Sequence, residues 1–366
     1  MFDPADPLSA TFRTAVAAAI TDFLMGQREV LAGIGPATAP LADLAEAFTA
    51  GGKRLRPAFC AWGWVAVAGI PAEPGPLVSA AASLDVLHVS ALVHDDVMDA
   101  SDTRRGVPAA HRQFAARHAA QGLRGDAEAF GRGGAILLGD LLLVWSQEMF
   151  RRSGLPAETI QRAMPIMEAV LTEVTTGQFL DILAQARPAL DVRSAPGEVL
   201  AQVDRVLEYK TARYTVVRPL QLGAALAGAG PDLLETLGRY GSAVGRAFQL
   251  RDDILGVFGD EQVTGKPAGG DLREGKLTAL LAHALRLAGA ADADELAGLV
   301  GRADLSAQEI GRAQGIIADS GALPVVEQEI ADSTRSAIDG LHHAGVTPEG
   351  EQALVNLARA AADRQS

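Results

Sequence analysis

The chain has 366 residues, of which 48% are hydrophobic, 21% charged and 5% aromatic. This composition excludes a disordered chain, and its abundance of Ala and Leu favours helices over strands. The formal net charge of −13 excludes nucleic acid and anionic lipid as bulk partners.

The expected location is the reducing cytoplasm, because the single cysteine, Cys60, cannot form an internal disulfide. The acidic N-terminal stretch lacks the basic and apolar regions of a signal peptide. Pro and Gly interrupt the longest uncharged run, between Arg56 and Glu73, which falls short of the roughly 18 apolar residues that a membrane span needs. We therefore expect a soluble protein without a transmembrane segment.

Apolar residues recur at helical spacing along most of the chain, and no segment alternates with a period of two. The predicted helices cover the ranges 8–32, 41–49, 57–69, 77–100, 109–119, 135–152, 157–186, 197–227, 231–258 and 276–288. The stretch 120–134, rich in Gly and charge, is predicted to be a loop. Because no flexible linker is evident, we expect an all-α fold in one domain, 1–366, with its motifs in 41–290 and further helices in 291–366.

A first acidic cluster, HDDVMD at 94–99, ends a long apolar run. Asp95 and Asp99 are four residues apart and would share one helix face, with Asp96 beside it. Unpaired charge at the end of an apolar run is costly, and Mg²⁺, which prefers oxygen ligands, would remove that cost. A solvated helix end is the alternative that this motif alone leaves open.

A second cluster, FQLRDDILGVFGD, contains Asp252 and Asp253 but has Gly256 where a third acid would repeat the first motif. Alone, it is as compatible with a solvated surface as with a ligand site. Together the two clusters predict carboxylate faces opposed across a cavity. Such faces would clamp a metal diphosphate, because Mg²⁺ usually binds one or two carboxylates plus phosphate oxygens.

Basic residues accompany the acidic clusters. The segment GGKRLRP at 51–57 places Lys53, Arg54 and Arg56 beside a flexible Gly pair at a helix start, where anionic oxygens bind well. Further cations follow at Arg104, Arg105, Lys210, Lys266 and Lys276. Each alone is more typical of an ordinary surface cation, but their combination with two acidic clusters indicates a diphosphate site.

Seven motifs span residues 51–276: GGKRLRP, LHVSALVHDDVMD, SDTRRG, ILLGD, YKT, FQLRDD and GKPAGGDLREGK. Their order and spacing resemble those of the trans-isoprenyl diphosphate synthases, or polyprenyl synthetases, and most of all the actinobacterial geranylgeranyl diphosphate synthases. The resemblance implies antiparallel helices around a central cavity, in a homodimer. It also implies that an allylic diphosphate (dimethylallyl, geranyl or farnesyl) is condensed with isopentenyl diphosphate, and that pyrophosphate is released.

The resemblance further implies a role for each matched position. Metal would be bound by Asp95, Asp99 and Asp252, with support from Asp96, Asp253 and Asp271. The allylic diphosphate would be bound by Arg104, Lys210 and Lys266, and isopentenyl diphosphate by Lys53, Arg56, His88 and Arg105. The reacting centre and its allylic cation would be lined by Thr211 and Gln249. The implied cofactor is Mg²⁺, as three ions per site when diphosphate is bound, with Mn²⁺ as a substitute.

Two departures from the family pattern concern the metal and the product. The missing acid at Gly256 is expected to weaken the second metal site without abolishing catalysis. Where many short-chain members carry an aromatic residue, five positions before the first motif, this chain has Ser90, with Ala91 next and Leu87 one turn earlier. These side chains predict a deep cavity and a geranylgeranyl (C20) product, with C25 or longer as the alternative. Another helix could instead supply the cavity floor through Leu142, Trp145 and Met149.

Two other functions stay open at this point. A terpene cyclase of related fold usually carries an Asn/Ser/Glu metal motif where this chain has Asp252 and Asp253, and it needs no separate isopentenyl site. A non-catalytic subunit of a heteromeric synthase has no need of intact acidic motifs and a complete set of cations. The sequence therefore favours the synthase over both.

Overall fold

The computed structural model describes residues 1–104, 106–186, 196–259 and 269–363, with the backbone alone for 185 and 186. The all-α prediction is confirmed. The α-helices in these ranges are α1 Ala10–Ile34, α2 Ala39–Thr49, α3 Leu55–Ala68, α4 Gly75–Met98, α5 Ala110–Ala120, α6 Ala127–Arg151, α7 Ala157–Ala186, α8 Pro196–Val206, α9 Arg218–Leu226, α10 Pro231–Phe258, α11 Gly270–Glu274, α12 Ala279–Leu287, α13 Ala290–Leu299, α14 Ala307–Asp319, α15 Ala322–Leu341 and α16 Pro348–Ala362. A short 3₁₀ turn, Pro36–Thr38, precedes α2, and a π-helical segment, Leu207–Val217, joins α8 to α9.

Two compact units divide the chain. The first comprises Met1–Ala163 and Gly223–Gly228, and the second comprises Met164–Leu222 and Ala229–Ser366. The first acidic motif therefore belongs to the first unit and the second acidic motif to the second unit. That the whole chain acts as one domain stays a prediction.

Helix α4 is the core element of the first unit. Its residues between Leu77 and Val93 are mostly apolar, and most of them are buried. Helices α1, α3 and α6 pack around it. Although α4 is long and apolar enough to cross a membrane, 72% of its most apolar stretch is covered by protein. Burial of this surface is the main driving force for the packing of the first unit.

Helix α10 is the core element of the second unit, as α4 is of the first. The π-helical segment, α12, α15 and α16 pack against it. Its buried face, which includes Leu250 and Val257, joins the hydrophobic cluster of this unit. The partly exposed face carries Gln249, Asp252 and Gly256. Burial of the apolar face thus fixes the direction in which the acidic motif points.

The predicted loop 120–134 is wrong in its second half, because α6 already begins at Ala127. The side chain of Asp126 caps α6 by accepting hydrogen bonds from two backbone N–H groups of the first turn. The glycines that favoured a loop instead allow close packing against α5. A Cβ at Gly134 would lie 2.8 Å from the ring of Phe114.

A short antiparallel hairpin with two residues in each strand follows α4, where the periodicity predicts no strand. Thr103 pairs with Pro108 and Arg104 pairs with Val107. Gly106 has a φ of 76°, a left-handed conformation that glycine adopts at little cost. The hairpin therefore fixes the position of Arg104 in the TRRG sequence.

Candidate active site

The first acidic motif occupies the last turn of α4. Asp95 and Asp99 are both partly exposed and share the helix face that their spacing predicts. The backbone N–H of Asp99 closes the helix by donating to the carbonyl of Asp95 at 2.8 Å. The first unit therefore presents two carboxylates on one open face, which suits a hard divalent cation.

Asp96 lies on the buried side of the same turn and is 1% exposed. Its Oδ1 accepts a hydrogen bond from Arg104 Nε at 2.9 Å and a shorter one from Arg104 Nη2. Burial raises the pKa of the Asp96 carboxyl above its usual value, although the bonded guanidinium opposes that shift. The arrangement makes Asp96 the group that orients Arg104.

The contact between α4 and α6 explains the ILLGD motif. Ser90 Oγ donates to the carbonyl of Gly139 at 2.7 Å. His94 Nε2 lies 3.1 Å from the carbonyl oxygen of Ile136 and 3.3 Å from Asp140 Oδ1. A Cβ at Gly139 would lie 2.5 Å from His94 Cδ2, so glycine is required for this approach. Ser90 and His94 are therefore packing groups between the two helices.

The open face of α4 continues below the acidic motif. His88 and Ala91 are partly exposed and precede Asp95 at helical spacing. Leu87 and Ser90, in contrast, are 1% and 2% exposed. Of the three positions expected to set product length, Ala91 is the one that shares the face of the metal motif.

The basic segment before α3 supplies the other cations of the first unit. Lys53 is exposed, and Arg56 is partly buried in the first turn of α3. The N-terminus of a helix favours anions through its unpaired N–H groups and its dipole. Two further residues that the sequence assigns to diphosphate binding, Arg105 and Lys266, lie outside the described residues.

The second acidic motif lies on α10. Asp252 is partly exposed, whereas Asp253 is 4% exposed and accepts a hydrogen bond from Gln249 Nε2 at 2.7 Å. Burial raises the pKa of Asp253 to about 7; the Gln249 bond opposes this, and the charges of Asp271 and Asp252 add to it. Gln249, which is partly exposed, thus holds the buried carboxylate of Asp253 behind the partly exposed Asp252.

The carboxylate of Asp271, on α11, occupies the space beside Gly256. A Cβ at Gly256 would lie 2.5 Å from Asp271 Cγ and closer still to Oδ2. Lys276 Nζ lies 3.9 Å from Asp271 Oδ1. A carboxylate from another segment therefore stands next to the position at which the acidic motif lacks its third acid.

Lys210 and Thr211 lie on the π-helical segment. π-Helices are rare in proteins and, where they occur, are frequently found at functional sites. A Cβ at Gly177 of α7 would lie 2.6 Å from the backbone N of Lys210. A Cβ at Gly245 of α10 would lie 2.5 Å from the Cα of Ala212. Glycines on both neighbouring helices therefore allow them to approach the widened backbone beside these two residues.

Asp181, on α7, is a candidate site residue that the sequence does not predict. Its carboxylate forms an ion pair with Lys210 Nζ, and the side chains are 13% and 24% exposed. The available signal was TTGQFLDI, in which Asp181 is the only charged residue between Glu173 and Arg187. It lies four residues after Gly177, on the face where α7 meets the π-helical segment.

The donors present fit magnesium delivered together with a diphosphate. Among the described ranges, no three or more His, Cys, Asp or Glu side chains are placed to hold a metal ion by themselves. The carboxylates occur instead as smaller sets, Asp95 with Asp99 and Asp252 with its neighbours. Mg²⁺ is usually bound by one or two carboxylates together with substrate phosphates, rather than by a complete protein cage.

A profile of the polyprenyl synthetase family matches residues 39–317. The chain belongs to the polyprenyl synthetase family. A solved geranylgeranyl pyrophosphate synthase of Corynebacterium glutamicum, complexed with isoprenyl diphosphate and magnesium, is 39% identical, with 99% of each chain covered and a TM-score of 0.89. The geranylfarnesyl diphosphate synthase of Aeropyrum pernix is 33% identical over 84% of this chain and 88% of its own length. The geranylgeranyl diphosphate synthase of Mycobacterium tuberculosis is 31% identical over 84% of this chain and 80% of its own.

Membership in the polyprenyl synthetase family confirms the predicted enzyme class, a prenyltransferase that condenses allylic diphosphates with isopentenyl diphosphate. The predicted likeness to actinobacterial geranylgeranyl diphosphate synthases is also confirmed. Polyprenyl synthetases use a divalent metal. The relatives differ in product, since both geranylgeranyl and geranylfarnesyl synthases are among them.

Proposed function

We propose that this polyprenyl synthetase makes geranylgeranyl diphosphate, the C20 product, by repeated addition of isopentenyl diphosphate to an allylic primer. The proposed length of the product rests on Ala91, which has a small and partly exposed side chain on the α4 face that bears Asp95. A small residue there leaves room for a growing apolar chain. Support also comes from similar proteins named geranylgeranyl synthases. A C25 product is the second candidate, because a similar protein is a geranylfarnesyl synthase.

The proposed metal ligands are Asp95, Asp99 and Asp252, with Asp96, Asp253 and Asp271 in support. We propose three Mg²⁺ ions per diphosphate, with Mn²⁺ able to substitute. When bound, the metal would neutralise the diphosphate as the allylic carbon–oxygen bond breaks. The partly exposed positions of Asp95, Asp99 and Asp252, and the carboxylate beside Gly256, support this assignment.

The proposed cations of the allylic diphosphate are Arg104, Lys210 and Lys266. Carboxylate partners of two of these cations support the assignment: Asp96 orients Arg104, and Asp181 pairs with Lys210. Cations held in place in this way stabilise a leaving diphosphate without reorganising during the reaction. Isopentenyl diphosphate is assigned to Lys53, Arg56, His88 and Arg105.

The reaction then needs a shielded allylic cation and no protein nucleophile. Thr211 and Gln249 are proposed to steady the cation through their oxygen atoms, and apolar helix faces exclude water from it. The double bond of isopentenyl diphosphate attacks the allylic carbon, forming the new carbon–carbon bond. The departing pyrophosphate accepts the proton that is then lost.

The direct test is incubation of the purified chain with labelled isopentenyl diphosphate, Mg²⁺ and dimethylallyl, geranyl or farnesyl diphosphate in separate reactions. The proposal expects geranylgeranyl diphosphate as the main product. Products of C25 or longer would support the second candidate. Cyclic hydrocarbons would indicate a terpene cyclase, and no turnover by the isolated chain would indicate a non-catalytic subunit.

We further propose that the enzyme is a cytoplasmic homodimer that pairs through α6. Phe130, Leu137 and Val144 recur every seven residues along this helix and are 46%, 61% and 58% exposed. Residues at that spacing form one stripe on a helix and pair well with the same stripe of a second helix. A second copy of the chain would bury this apolar stripe.

Val144→Glu is expected to weaken the dimer at least about tenfold, because it places a charge in an apolar interface. Val30→Glu on α1 is a matched control, since Val30 is 61% exposed and lies on another helix. Light scattering across a concentration series should give a mass near twice 38.0 kDa for the wild type and the control. An unchanged mass for Val144→Glu would contradict this interface.

A further inference from the structure

Arg54 stands out in the first unit because it combines two uncommon properties. It is a non-glycine residue with a left-handed backbone, at φ 57° and ψ 36°. It is also 3% exposed, although it carries a charge. Residues held in such strained conformations persist only where the surrounding structure determines them, and they cluster at functional sites.

Two acceptors hold the Arg54 guanidinium. Nη1 donates to Asp85 Oδ2 in a short ion pair, and Nη2 donates to the carbonyl of Thr49 at 2.8 Å. Asp85 lies in the middle of α4 and is 5% exposed. Thr49 is the last residue of α2, where helix carbonyls lack internal partners. Arg54 thus ties the end of α2 and the middle of α4 to the start of α3.

The residues joined by Arg54 adjoin those assigned to isopentenyl diphosphate. Lys53 precedes it, Arg56 follows it by two positions, and His88 lies one helical turn after Asp85 on α4. The left-handed turn at Arg54 sets the path by which the chain passes from the exposed Lys53 into α3. Gly52, at φ 118°, supplies the other unusual backbone angle of this turn.

We propose that Arg54 and Asp85 are a positioning pair for the isopentenyl diphosphate pocket. Resting on the proposed function, this inference adds two residues that do not touch substrate. The pair fixes the basic turn that carries Lys53 and Arg56 against the helix that carries His88. It acts on one of the two diphosphates, because the described residues assigned to the allylic diphosphate lie elsewhere, Arg104 on the hairpin and Lys210 on the π-helical segment.

The test compares Arg54→Met, which keeps the length of the side chain but removes the guanidinium, with Asp85→Asn, which keeps the shape and removes the charge. Dissociation constants for isopentenyl diphosphate are measured by calorimetry without primer, together with KM for both substrates. We expect the dissociation constant and KM for isopentenyl diphosphate to rise about tenfold or more in both variants. Misplacement of a binding group by about 1 Å can lower the rate of an enzyme by two orders of magnitude. KM for the allylic substrate should change less than about threefold.

Arg54→Lys should show an intermediate effect, because an ammonium group cannot match the fork of a guanidinium on two acceptors. Phe12→Leu on α1 is the stability control, since Phe12 is 1% exposed and remote in sequence from the basic turn. This variant should lower the melting temperature and leave binding of isopentenyl diphosphate unchanged. If Arg54→Met fails to fold, Asp85→Asn and Arg54→Lys carry the test.

Unchanged affinity in the folded variants, or an equal loss in Phe12→Leu, would show that the pair only stabilises the fold. An equal rise in KM for both substrates would also overturn the proposal. If the wild type itself fails to bind isopentenyl diphosphate, the proposed function fails first. The two failures are therefore distinguishable.

Discussion

Asp252→Asn is expected to lower kcat by about a thousandfold, the largest effect of any single substitution in the second unit. Asp252 is the partly exposed carboxylate of its motif, with Asp253 buried behind it and Asp271 on a neighbouring segment. Removing its charge would weaken the proposed binding of the Mg²⁺ that would neutralise the diphosphate leaving group. A thousandfold change corresponds to about 4 kcal/mol of transition-state stabilisation.

Asp253→Asn is the matched control for this experiment. An asparagine there still fits the buried space and can still accept the hydrogen bond that Gln249 donates. We expect kcat to fall less than about tenfold in this control. Initial rates at saturating Mg²⁺ and both substrates measure the difference, and circular dichroism verifies folding. Near-normal turnover of Asp252→Asn under these conditions would refute its proposed role.

Ala91→Phe is expected to shift the main product from C20 to C15 or shorter. Ala91 shares the open α4 face with Asp95, so an aromatic ring there would occupy the space into which the chain grows. Chromatography of the dephosphorylated products, made from dimethylallyl and geranyl diphosphate, measures the shift. Turnover with these short primers should persist, because the diphosphate-binding residues are unchanged.

The neighbouring Ser90 provides the control for product length. Ser90→Ala should leave the product distribution unchanged and cost about 1 kcal/mol of stability, because it removes the hydrogen bond to Gly139. Ser90→Phe should instead overpack the contact between α4 and α6. If Ser90→Ala shortens the product while Ala91→Phe does not, the cavity wall has been assigned to the wrong residue.

The features predictable from the sequence are those that depend on local spacing. The shared face of Asp95 and Asp99 follows from their spacing of four positions, and the all-α fold follows from apolar periodicity. The start of α6 at Ala127 was missed because glycine signals a loop, whereas here it serves contact between two helices. Local composition does not reveal which neighbour a glycine will meet.

Interactions between distant segments were not predictable. The pairing of Asp181 with Lys210 joins residues 29 positions apart and depends on how α7 meets the π-helical segment. The π-helix was not predictable either, because its sequence also fits an α-helix. The burial of Asp96 against Arg104 depends likewise on the hairpin after α4.

At Gly256, the negative charge beside α10 comes from a residue outside this helix, because the carboxylate of Asp271 occupies the adjacent space. The electric field along α10 depends on where carboxylates lie in space, and the carboxylate of Asp271 contributes to it beside Gly256 although it belongs to α11. Any side chain added at 256 would force the carboxylate of 271 to shift. A substitution at 256 would therefore alter two things at once, the surface of α10 and the position of a carboxylate that belongs to α11.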